Sequence, residues 1–310
     1  MKKIIKIGDN GPDVKLIQVA LNINDDGNFG SKTLTAVKEF QASHGLNNDG
    51  VVGIETQVKL FKKIENLDSE ITELPYDTLI MQENEFNSGP NKPAFIFYHH
   101  TAGWHNPYNV VKSWNNDKRG KIGTEWVVGG PSIRDSNKKY DGQIVKCMPD
   151  NAWGYHLGNV NYSMHVNSIG IELCNFGQLR ETTYGFKTYA GQLVDENQVY
   201  DLGQKWRGYR YWHKYSNAQI EALYDLTKML AVKYNIDLNQ GLKQWLTSQK
   251  GNQNIWTKYT NPNKKELNAF EYKADAKNGL INGLLSHSNV RKDKFDISPQ
   301  KNLIEMIKSL

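Results

Sequence analysis

Cysteine is almost absent from this chain, which has only Cys147 and Cys174 among its 310 residues. Two cysteines cannot build the set of disulfides that stabilises small secreted domains, so we expect two free thiols. Long apolar runs are also missing, and no stretch approaches the roughly 18 apolar residues of a membrane-spanning helix. The sequence therefore predicts neither a disulfide scaffold nor insertion into a membrane.

The start of the chain has the positive charge of a secretion signal but lacks its apolar core. Lys6, Gly8 and Asp9 interrupt the short apolar stretch that follows Met1. A secretion signal needs an uninterrupted apolar region of about 7–15 residues. We therefore expect synthesis in the cytoplasm of a host cell without an export signal.

The excess of positive over negative charge is small. The 38 Lys and Arg exceed the 33 Asp and Glu by five, and charged residues make up 23% of the chain. This surplus suits an anionic polymer such as a bacterial cell wall, and it is too small and scattered to predict a nucleic-acid-binding protein. The apolar fraction of 38% is sufficient for a packed core, and the length favours two domains.

An internal repeat marks the N-terminal region. The octapeptide DGNFGSKT at residues 26–33 recurs as DGVVGIET at residues 49–56. Asp-Gly favours a tight turn, Ser31 is expected to cap the helix that follows, and Gly45 is expected to end that helix. Apolar residues at helical spacing predict three short helices with a core of Ile17, Leu21, Phe29, Val37, Phe40, Leu46 and Leu60.

Residues 1–64 resemble the peptidoglycan-binding domain type 1 family along nearly their whole length. The matching segments include GDNGPDV at residues 8–14, LIQ at 16–18, FQ at 40–41, GL at 45–46 and the two Asp-Gly turns. The resemblance implies a three-helix domain that binds bacterial peptidoglycan. Residues 65–90 are polar and irregular, and we interpret them as a linker that wraps onto a second domain at residues 91–310.

The second domain has the pattern of an α/β fold. Strands are predicted at residues 93–100, 125–129, 143–147 and 168–173. Ser216 and Gln219 form a capping box that opens a helix, and Ser298-Pro299 is expected to start the last helix. Strands interleaved with helices predict a central mixed β-sheet flanked by helices.

Three polar residues of the second domain suggest a metal site. The apolar run at residues 93–98 ends in His99-His100, and His287 is followed by Asp296 nine residues later. A catalytic zinc site uses three such ligands and leaves the fourth position for water. Because side chains alternate along a strand, only one of the two adjacent histidines should be a ligand, and alternation alone does not select it.

These residues resemble the zinc-dependent N-acetylmuramoyl-L-alanine amidases of the type 2 family. The resemblance covers residues 93–175, 214–236 and 284 to about 300, and it carries the motifs FYHHTAG at 97–103, NSIGIEL at 167–173, SHSNV at 286–290 and KFD at 294–296. It implies one Zn²⁺ ion held by His99, His287 and Asp296. It also implies Glu172 as the acidic catalytic residue and Lys294 as a cation in the site.

The resemblance also implies residues that bind substrate. The segment AWGYHLG at 152–158 looks like the part of the family that lines the cleft, with Trp153 and His156 as candidate contacts. Thr124 and Glu125 stand where many relatives carry Tyr-His, so the aromatic hydroxyl is missing at Thr124. Glu125 is either a second acid near the cleft or an ordinary strand residue.

The chain departs from compact members of the family in length. Two segments, near residues 176–213 and 237–283, are rich in Asn, Lys, Tyr and Trp. One interpretation is that they extend the substrate groove, because aromatic rings stack on sugars. The other is that they are surface elaborations with small cores of their own.

Together these features predict a peptidoglycan hydrolase that cuts the amide between N-acetylmuramic acid and L-alanine. We expect a monomer, of the phage endolysin type, that lyses the host cell after release. Two alternatives remain: a non-catalytic peptidoglycan recognition protein, and a zinc peptidase that cuts within the stem peptide. The complete set of His99, His287 and Asp296 argues against the first.

Overall fold

The protein was analysed as a computed structural model that describes residues 4–21, 23–53, 55–57, 59–60, 74–135, 137–247 and 262–310. The chain divides into two compact units, residues 1–73 and residues 74–310. None of the helices in the described ranges is long and apolar enough to cross a membrane.

The N-terminal unit is helical. Its helices are α1 (Pro12–Ala20) and α2 (Ser31–Ser43), and residues 55–57 and 59–60 are helical as well. The buried core consists of Ile5, Val14, Ile17, Phe29, Val37, Phe40, Val52 and Leu60, with Leu21 and Leu46 packed against it. The core predicted from helical spacing is therefore confirmed.

The sequence repeat of the N-terminal unit is also a structural repeat. The buried amide of Gln18 donates to Asp26 at 2.8 Å, and that of Gln41 donates to Asp49 at 3.1 Å. In both copies the amide oxygen accepts the backbone N–H of the glycine after the aspartate, at 2.8 Å. Each Asp-Gly turn is thus held by a glutamine from the preceding helix.

One predicted helix cap of this unit is wrong, and one predicted helix end is confirmed. Ser31 is the first residue of α2, and its N-cap is Gly30 without a side-chain cap bond. Ser31 therefore lies one position too far along to accept from the first turn. Gly45 follows the end of α2 with a φ of +63°, the left-handed conformation that glycine adopts readily.

Residues 74–310 form strands that we number in chain order. They are β1 (Asp77–Thr78), β2 (Asn87–Ser88), β3 (Phe95–His100), β4 (Trp126–Val128), β5 (Ile144–Lys146), β6 (Ala152–Trp153), β7 (Ser168–Leu173), β8 (Gln178–Thr182), β9 (Gly185–Lys187), β10 (Leu193–Val194), β11 (Val199–Trp206), β12 (Tyr209–His213) and β13 (Gly283–Ser286). A six-stranded sheet has the order β1-β5-β4-β7-β3-β13. All its pairs are parallel except β4 with β5, so the predicted mixed sheet is confirmed.

The helices of this unit surround the sheet. They are α3 (Pro107–Trp114), α4 (Tyr162–Val166), α5 (Asn217–Tyr234), α6 (Leu242–Thr247), α7 (Lys264–Ala269), α8 (Ala274–Lys277), α9 (His287–Val290) and α10 (Lys301–Ser309). The capping box of α5 is present, with Gln219 N–H donating to Ser216 Oγ at 3.0 Å.

The last helix begins later than predicted. Its first residue is Lys301 and its N-cap is Gln300, so Pro299 is not in the first turn. Side-chain bonds explain the shift: Gln300 donates to the carbonyl of His213 at 2.7 Å, and Ser298 N–H donates to the hydroxyl of Tyr215 at 3.1 Å. These bonds hold residues 298–300 outside the helix.

Both faces of the central strands are covered, which explains their continuous apolar pattern. On one face, the hydroxyl of Tyr98 lies 2.6 Å from that of Thr227 on α5. On the other face, a buried cluster contains Phe95, Phe97, Leu157, Met164, Ala276, Leu285 and Val290. His99 follows Phe97 on this second face, at the carboxyl end of β3.

The two long segments predicted near residues 176–213 and 237–283 differ in structure. Residues 178–213 form an antiparallel five-stranded sheet with the order β10-β9-β8-β12-β11. The second segment contributes α6, α7 and α8, and its residues 248–261 lie outside the described residues. Of the predicted linker, residues 65–73 also lie outside them, whereas β1 and β2 pair with β5 and β6.

Candidate metal centre and active site

Three side chains from distant parts of the chain meet at one point. His99 Nδ1 lies 3.1 Å from His287 Nδ1 and 3.1 Å from Asp296 Oδ2, and His287 Nδ1 lies 2.9 Å from the same carboxylate oxygen. All three residues are buried, with exposed fractions of 2%, 4% and 8%. The three residues that the motifs selected are therefore brought together.

Strand register explains why the two histidines meet. β13 runs parallel to β3, with Ser286 paired to Tyr98. His287 directly follows Ser286, and His99 directly follows Tyr98. Both histidines therefore lie at the same edge of the sheet. Asp296 then returns to this point because its carbonyl accepts the N–H of Ser288 at 3.0 Å.

The arrangement fits a tetrahedral metal ion. Ligands that bind zinc at about 2.0–2.1 Å in a tetrahedral site lie roughly 3.3 Å from one another. The three donor atoms are 2.9–3.1 Å apart, and two nitrogens with one carboxylate oxygen suit zinc. The buried Nε2 of His287 has no hydrogen-bond partner, so the polar contacts of this ring all lie on the Nδ1 side, toward His99 and Asp296.

Tertiary structure also decides between the adjacent histidines. His100 lies on the opposite face of β3, where a Cβ atom at Gly177 would come within 2.5 Å of its Nε2. It is absent from the cluster of His99, His287 and Asp296. His99 is therefore the histidine that faces the candidate metal site, as the family resemblance implied.

A chain of hydrogen bonds holds the Nε2 side of the His99 ring, opposite the Nδ1 that faces the cluster. Its Nε2 lies 2.9 Å from Nδ1 of His156, whose Nε2 lies 2.9 Å from the hydroxyl of Ser168. That hydroxyl donates to the carbonyl of His165 at 3.3 Å. A carbonyl only accepts, so each donor in the chain has an acceptor when His99 carries its hydrogen on Nε2. This leaves Nδ1 of His99 with a free lone pair toward the cluster.

His156, predicted as a substrate contact, lies beside His99 in the interior of the unit. It is only 7% exposed, and both of its ring nitrogens are engaged within the protein. Burial lowers the pKa of His156 well below its usual value and that of His99 to about 4. Both rings are therefore neutral at pH 7, the form in which histidine binds a metal.

Glu172 lies beside His99 on the neighbouring strand. The register of β3 with β7 pairs the two residues, so their side chains share a face. Oε2 of Glu172 is buried and has no hydrogen-bond partner. Burial and the charge of Asp296 raise the pKa of Glu172 well above its usual value, while Lys294 lowers it. A carboxyl that can hold a proton near neutral pH suits general acid–base catalysis.

Lys294 lies two residues before Asp296 and is partly exposed. Its charge lowers the pKa of both His99 and Glu172, which shows that the ammonium group acts on the cluster. It is thus a cation beside the candidate metal site, although its Nζ makes no direct bond to the three candidate ligands in the described structure.

Comparison with known proteins identifies the family. The model for N-acetylmuramoyl-L-alanine amidases matches residues 89–266, which is more than half of the chain. The chain belongs to this amidase family. A second model, for peptidoglycan binding domains, matches residues 10–60. The amidase match includes His99 and Glu172 and ends before His287 and Asp296, which therefore rest on the geometry.

Individual relatives match over shorter lengths or at low identity. A 41-residue segment, 13% of this chain, is 51% identical to N-acetylmuramoyl-L-alanine amidase CwlL from Bacillus licheniformis and spans 11% of that relative. A peptidoglycan-binding protein from Clostridioides difficile is 41% identical over 19% of this chain and 40% of its own, with a TM-score of 0.19. The endolysin LysCS from Clostridium intestinale URNW is 15% identical over 76% of this chain and 94% of its own, with a TM-score of 0.39.

In this member of the family, Trp153 is nearly buried. Only 5% of Trp153 is exposed, and the rings of Tyr155 and Tyr162 pack edge-to-face on it. Those two tyrosines are 42% and 63% exposed, so they present the aromatic surface of this segment. The sequence carries no signal for the burial of Trp153, because the segment is too short for burial to be inferred from periodicity.

Thr124 and Glu125 are also internal residues. The hydroxyl of Thr124 donates to the carbonyl of Trp126 at 3.1 Å, and Thr124 is fully buried. Glu125 is 7% exposed and accepts the backbone N–H of Gly170 at 2.6 Å, while its Oε1 has no partner. Glu125 lies directly before β4, and its bond to the N–H of Gly170 braces β7 two positions before Glu172.

Replacing Glu125 by glutamine should stabilise the protein in alkaline solution. Burial raises the pKa of Glu125 to about 8 from its ordinary value of 4.5. Its contribution to stability is therefore fully present below pH 4.5 and is lost as the pH rises through about 8. Urea unfolding of Glu125→Gln should match the native protein near pH 5 and exceed it by at least about 1 kcal/mol at pH 8.5. Equal pH dependence in the two proteins would contradict this assignment.

Proposed function

We propose that this chain is a zinc-dependent peptidoglycan hydrolase that cleaves the amide between the lactyl group of N-acetylmuramic acid and the first L-alanine of the stem peptide. The observation that carries the proposal is the convergence of His99, His287 and Asp296 within about 3 Å, beside the unpartnered carboxyl of Glu172. Membership of the amidase family supports the choice of bond.

The metal would be held by Nδ1 of His99, Nδ1 of His287 and Oδ2 of Asp296. Asp296 is suited to this role, because the charges and hydrogen bonds of the two histidines lower its pKa well below the usual value despite its burial. A zinc ion bound there would polarise the scissile carbonyl and lower the pKa of a water molecule to about 7.

Residues of the chain supply the proton transfers and the charge. Glu172 takes a proton from the attacking water and returns it to the leaving amine, so that one carboxyl acts first as base and then as acid. The tetrahedral intermediate is negatively charged, and the ammonium of Lys294 stabilises that charge. His156 and Ser168 hold the ring of His99 in the orientation that its role as ligand requires.

The N-terminal unit would keep the enzyme on its insoluble substrate. Its match to peptidoglycan binding domains supports this role. A cavity of about 340 Å³ beside the second Asp-Gly turn is lined by the apolar residues Ile4, Leu46 and Val51 together with polar ones that include Gln41, Asn47 and Asp49. Binding through this unit would raise the local concentration of the catalytic unit at the wall.

Analysis of reaction products tests the proposal. Purified sacculi digested with the full chain should release stem peptides with a new N-terminal L-alanine, detected by mass spectrometry, and a strong chelator should stop the release. The same peptides should appear with residues 74–310 alone, at a higher enzyme concentration. A different new amine would establish the peptidase alternative, and intact sacculi would establish the recognition protein.

The phage origin, the cytoplasmic synthesis and the monomeric state stay predictions. Light scattering of the purified chain tests the last of these, since a dimer would double the mass of 35.4 kDa.

A further inference from the structure

Arg207 occupies an unusual position at the tip of the hairpin that joins β11 and β12. Its backbone φ of +49° is in the left-handed region, which is uncommon for a residue other than glycine. Its side chain is only 9% exposed, although the residue lies in a surface hairpin. A strained backbone and a covered arginine together indicate that the side chain has a specific target.

That target is the loop between the candidate metal ligands. Nη1 of Arg207 donates to the carbonyls of Lys292 at 2.9 Å and Arg291 at 3.5 Å, and also to that of Lys294. Nη2 donates to the carbonyl of Ser288 at 3.3 Å. One guanidinium therefore gathers four backbone carbonyls of residues 288–294.

The segment of residues 288–294 connects two of the candidate metal ligands, His287 and Asp296. Ser288 directly follows His287, and Lys294 lies two residues before Asp296. Residues 291–297 contain no helix or strand, so their carbonyls have no regular backbone partners. A rigid fork of donors with a permanent charge is well suited to fix several such carbonyls at once. Arg207 thus determines the conformation of the segment that places Asp296 and Lys294.

Further contacts come from both long segments, near residues 176–213 and 237–283. Tyr209, on β12, packs edge-to-face against Phe295 with ring centroids 5.8 Å apart. Glu271, from the second segment, accepts from Nη2 of Arg207 at 3.0 Å. Phe295 immediately precedes Asp296, so Arg207 contacts the backbone just before the candidate ligand and Tyr209 contacts the ring of its neighbour.

We propose that the β11–β12 hairpin is a clamp on the metal-binding loop, with Arg207 as a positioning residue for Asp296 and Lys294. Both long segments contribute to it, the first through Arg207 and Tyr209 and the second through Glu271. The proposal rests on the proposed metal centre, but it does not depend on which bond of peptidoglycan is cut.

Zinc affinity of Arg207→Met tests the clamp. This variant keeps an apolar stem and removes the donors, so competition with a fluorescent chelator should show zinc binding weakened roughly 10–100-fold, as for other partners that orient metal ligands. At saturating zinc, kcat should fall while KM stays within about twofold, because Lys294 is misplaced and the substrate surface is intact. Arg207→Lys should recover little, since one ammonium cannot span the four carbonyls.

Arg210→Met is the matched control. Arg210 lies on the same hairpin, is 47% exposed and pairs with Asp201 at 2.7 Å, far from the metal-binding loop in its contacts. Its zinc affinity should equal that of the native chain. Native zinc affinity in a folded Arg207→Met protein would overturn the clamp, even if its unfolding temperature fell.

Glu271→Gln covers the case in which Arg207→Met does not fold. It retains the arginine and weakens its anchor, so zinc affinity should fall about threefold to tenfold. Unchanged affinity in this folded variant would also overturn the proposal. If zinc affinity changes as expected but the digestion products are not those of an amidase, the clamp stands and the proposed cleavage site fails.

Discussion

Replacing His99 by alanine should remove zinc and nearly all catalytic activity from the full chain. The substitution leaves His287 and Asp296 as two ligands of an incomplete site, and it removes the donor to the buried Nδ1 of His156. Loss of a partner that merely orients a ligand costs about 10–100-fold in metal affinity, so loss of a ligand should cost more than about 100-fold. Zinc content by mass spectrometry, measured beside peptide release from sacculi, gives the result.

His100→Ala is the control for this substitution. His100 is the adjacent residue, is also buried and faces the other side of β3, so its removal creates a cavity without removing a ligand. The variant should be less stable and should still bind one equivalent of zinc. Stoichiometric zinc in His99→Ala, or complete loss of zinc in a folded His100→Ala protein, would contradict the ligand assignment.

Replacing Glu172 by glutamine should leave zinc bound and abolish turnover. Glutamine has nearly the same shape but cannot take a proton from water, so the rate should fall by roughly 10²–10⁴-fold. Glu172 is not among the three residues that converge on the candidate metal site, so the zinc content should stay at one equivalent. Single-turnover rates and zinc content of the same preparation check both parts.

Glu125→Gln supplies the matched control for Glu172→Gln. Both carboxyls are enclosed by the same sheet, and burial raises the pKa of each, but Glu125 is bonded to the backbone of Gly170. Its replacement should leave kcat within about threefold at pH 7, since it has no place in the proton transfers. Native turnover in Glu172→Gln would show that another group serves as the base.

Parts of this fold follow directly from local sequence pattern. The strand at 95–100, the capping box of Ser216 and Gln219, and the core of the N-terminal unit were predictable because each depends on residues that are close together in the chain. The start of the last helix was not predictable, because residues 298–300 are held by bonds to Tyr215 and His213, more than 80 positions away.

The candidate site also has parts that the sequence predicted and parts that it did not. The family motifs selected His99, His287, Asp296, Glu172 and Lys294, and the structure brings the first three within 3.1 Å and pairs Glu172 with His99 on the neighbouring strand. The four residues expected to contact substrate, Trp153, His156, Thr124 and Glu125, are nearly buried, as are the candidate metal ligands, and their contact with substrate stays a prediction. Residue type indicates the chemistry that a side chain can perform, whereas burial is set by what packs over it.

Local sequence pattern is sufficient to predict a small helical unit followed by an α/β unit, and it supplies two histidines and an aspartate able to bind a metal. Turn residues, hydrophobic period and short motifs are local properties, so they can be interpreted without a structure. The packed fold is what places β13 beside β3, His156 next to His99, and Arg207 against the loop before Asp296. Those facts depend on contacts between residues that are distant in the chain, and such contacts form only when the packed sheet brings the segments together.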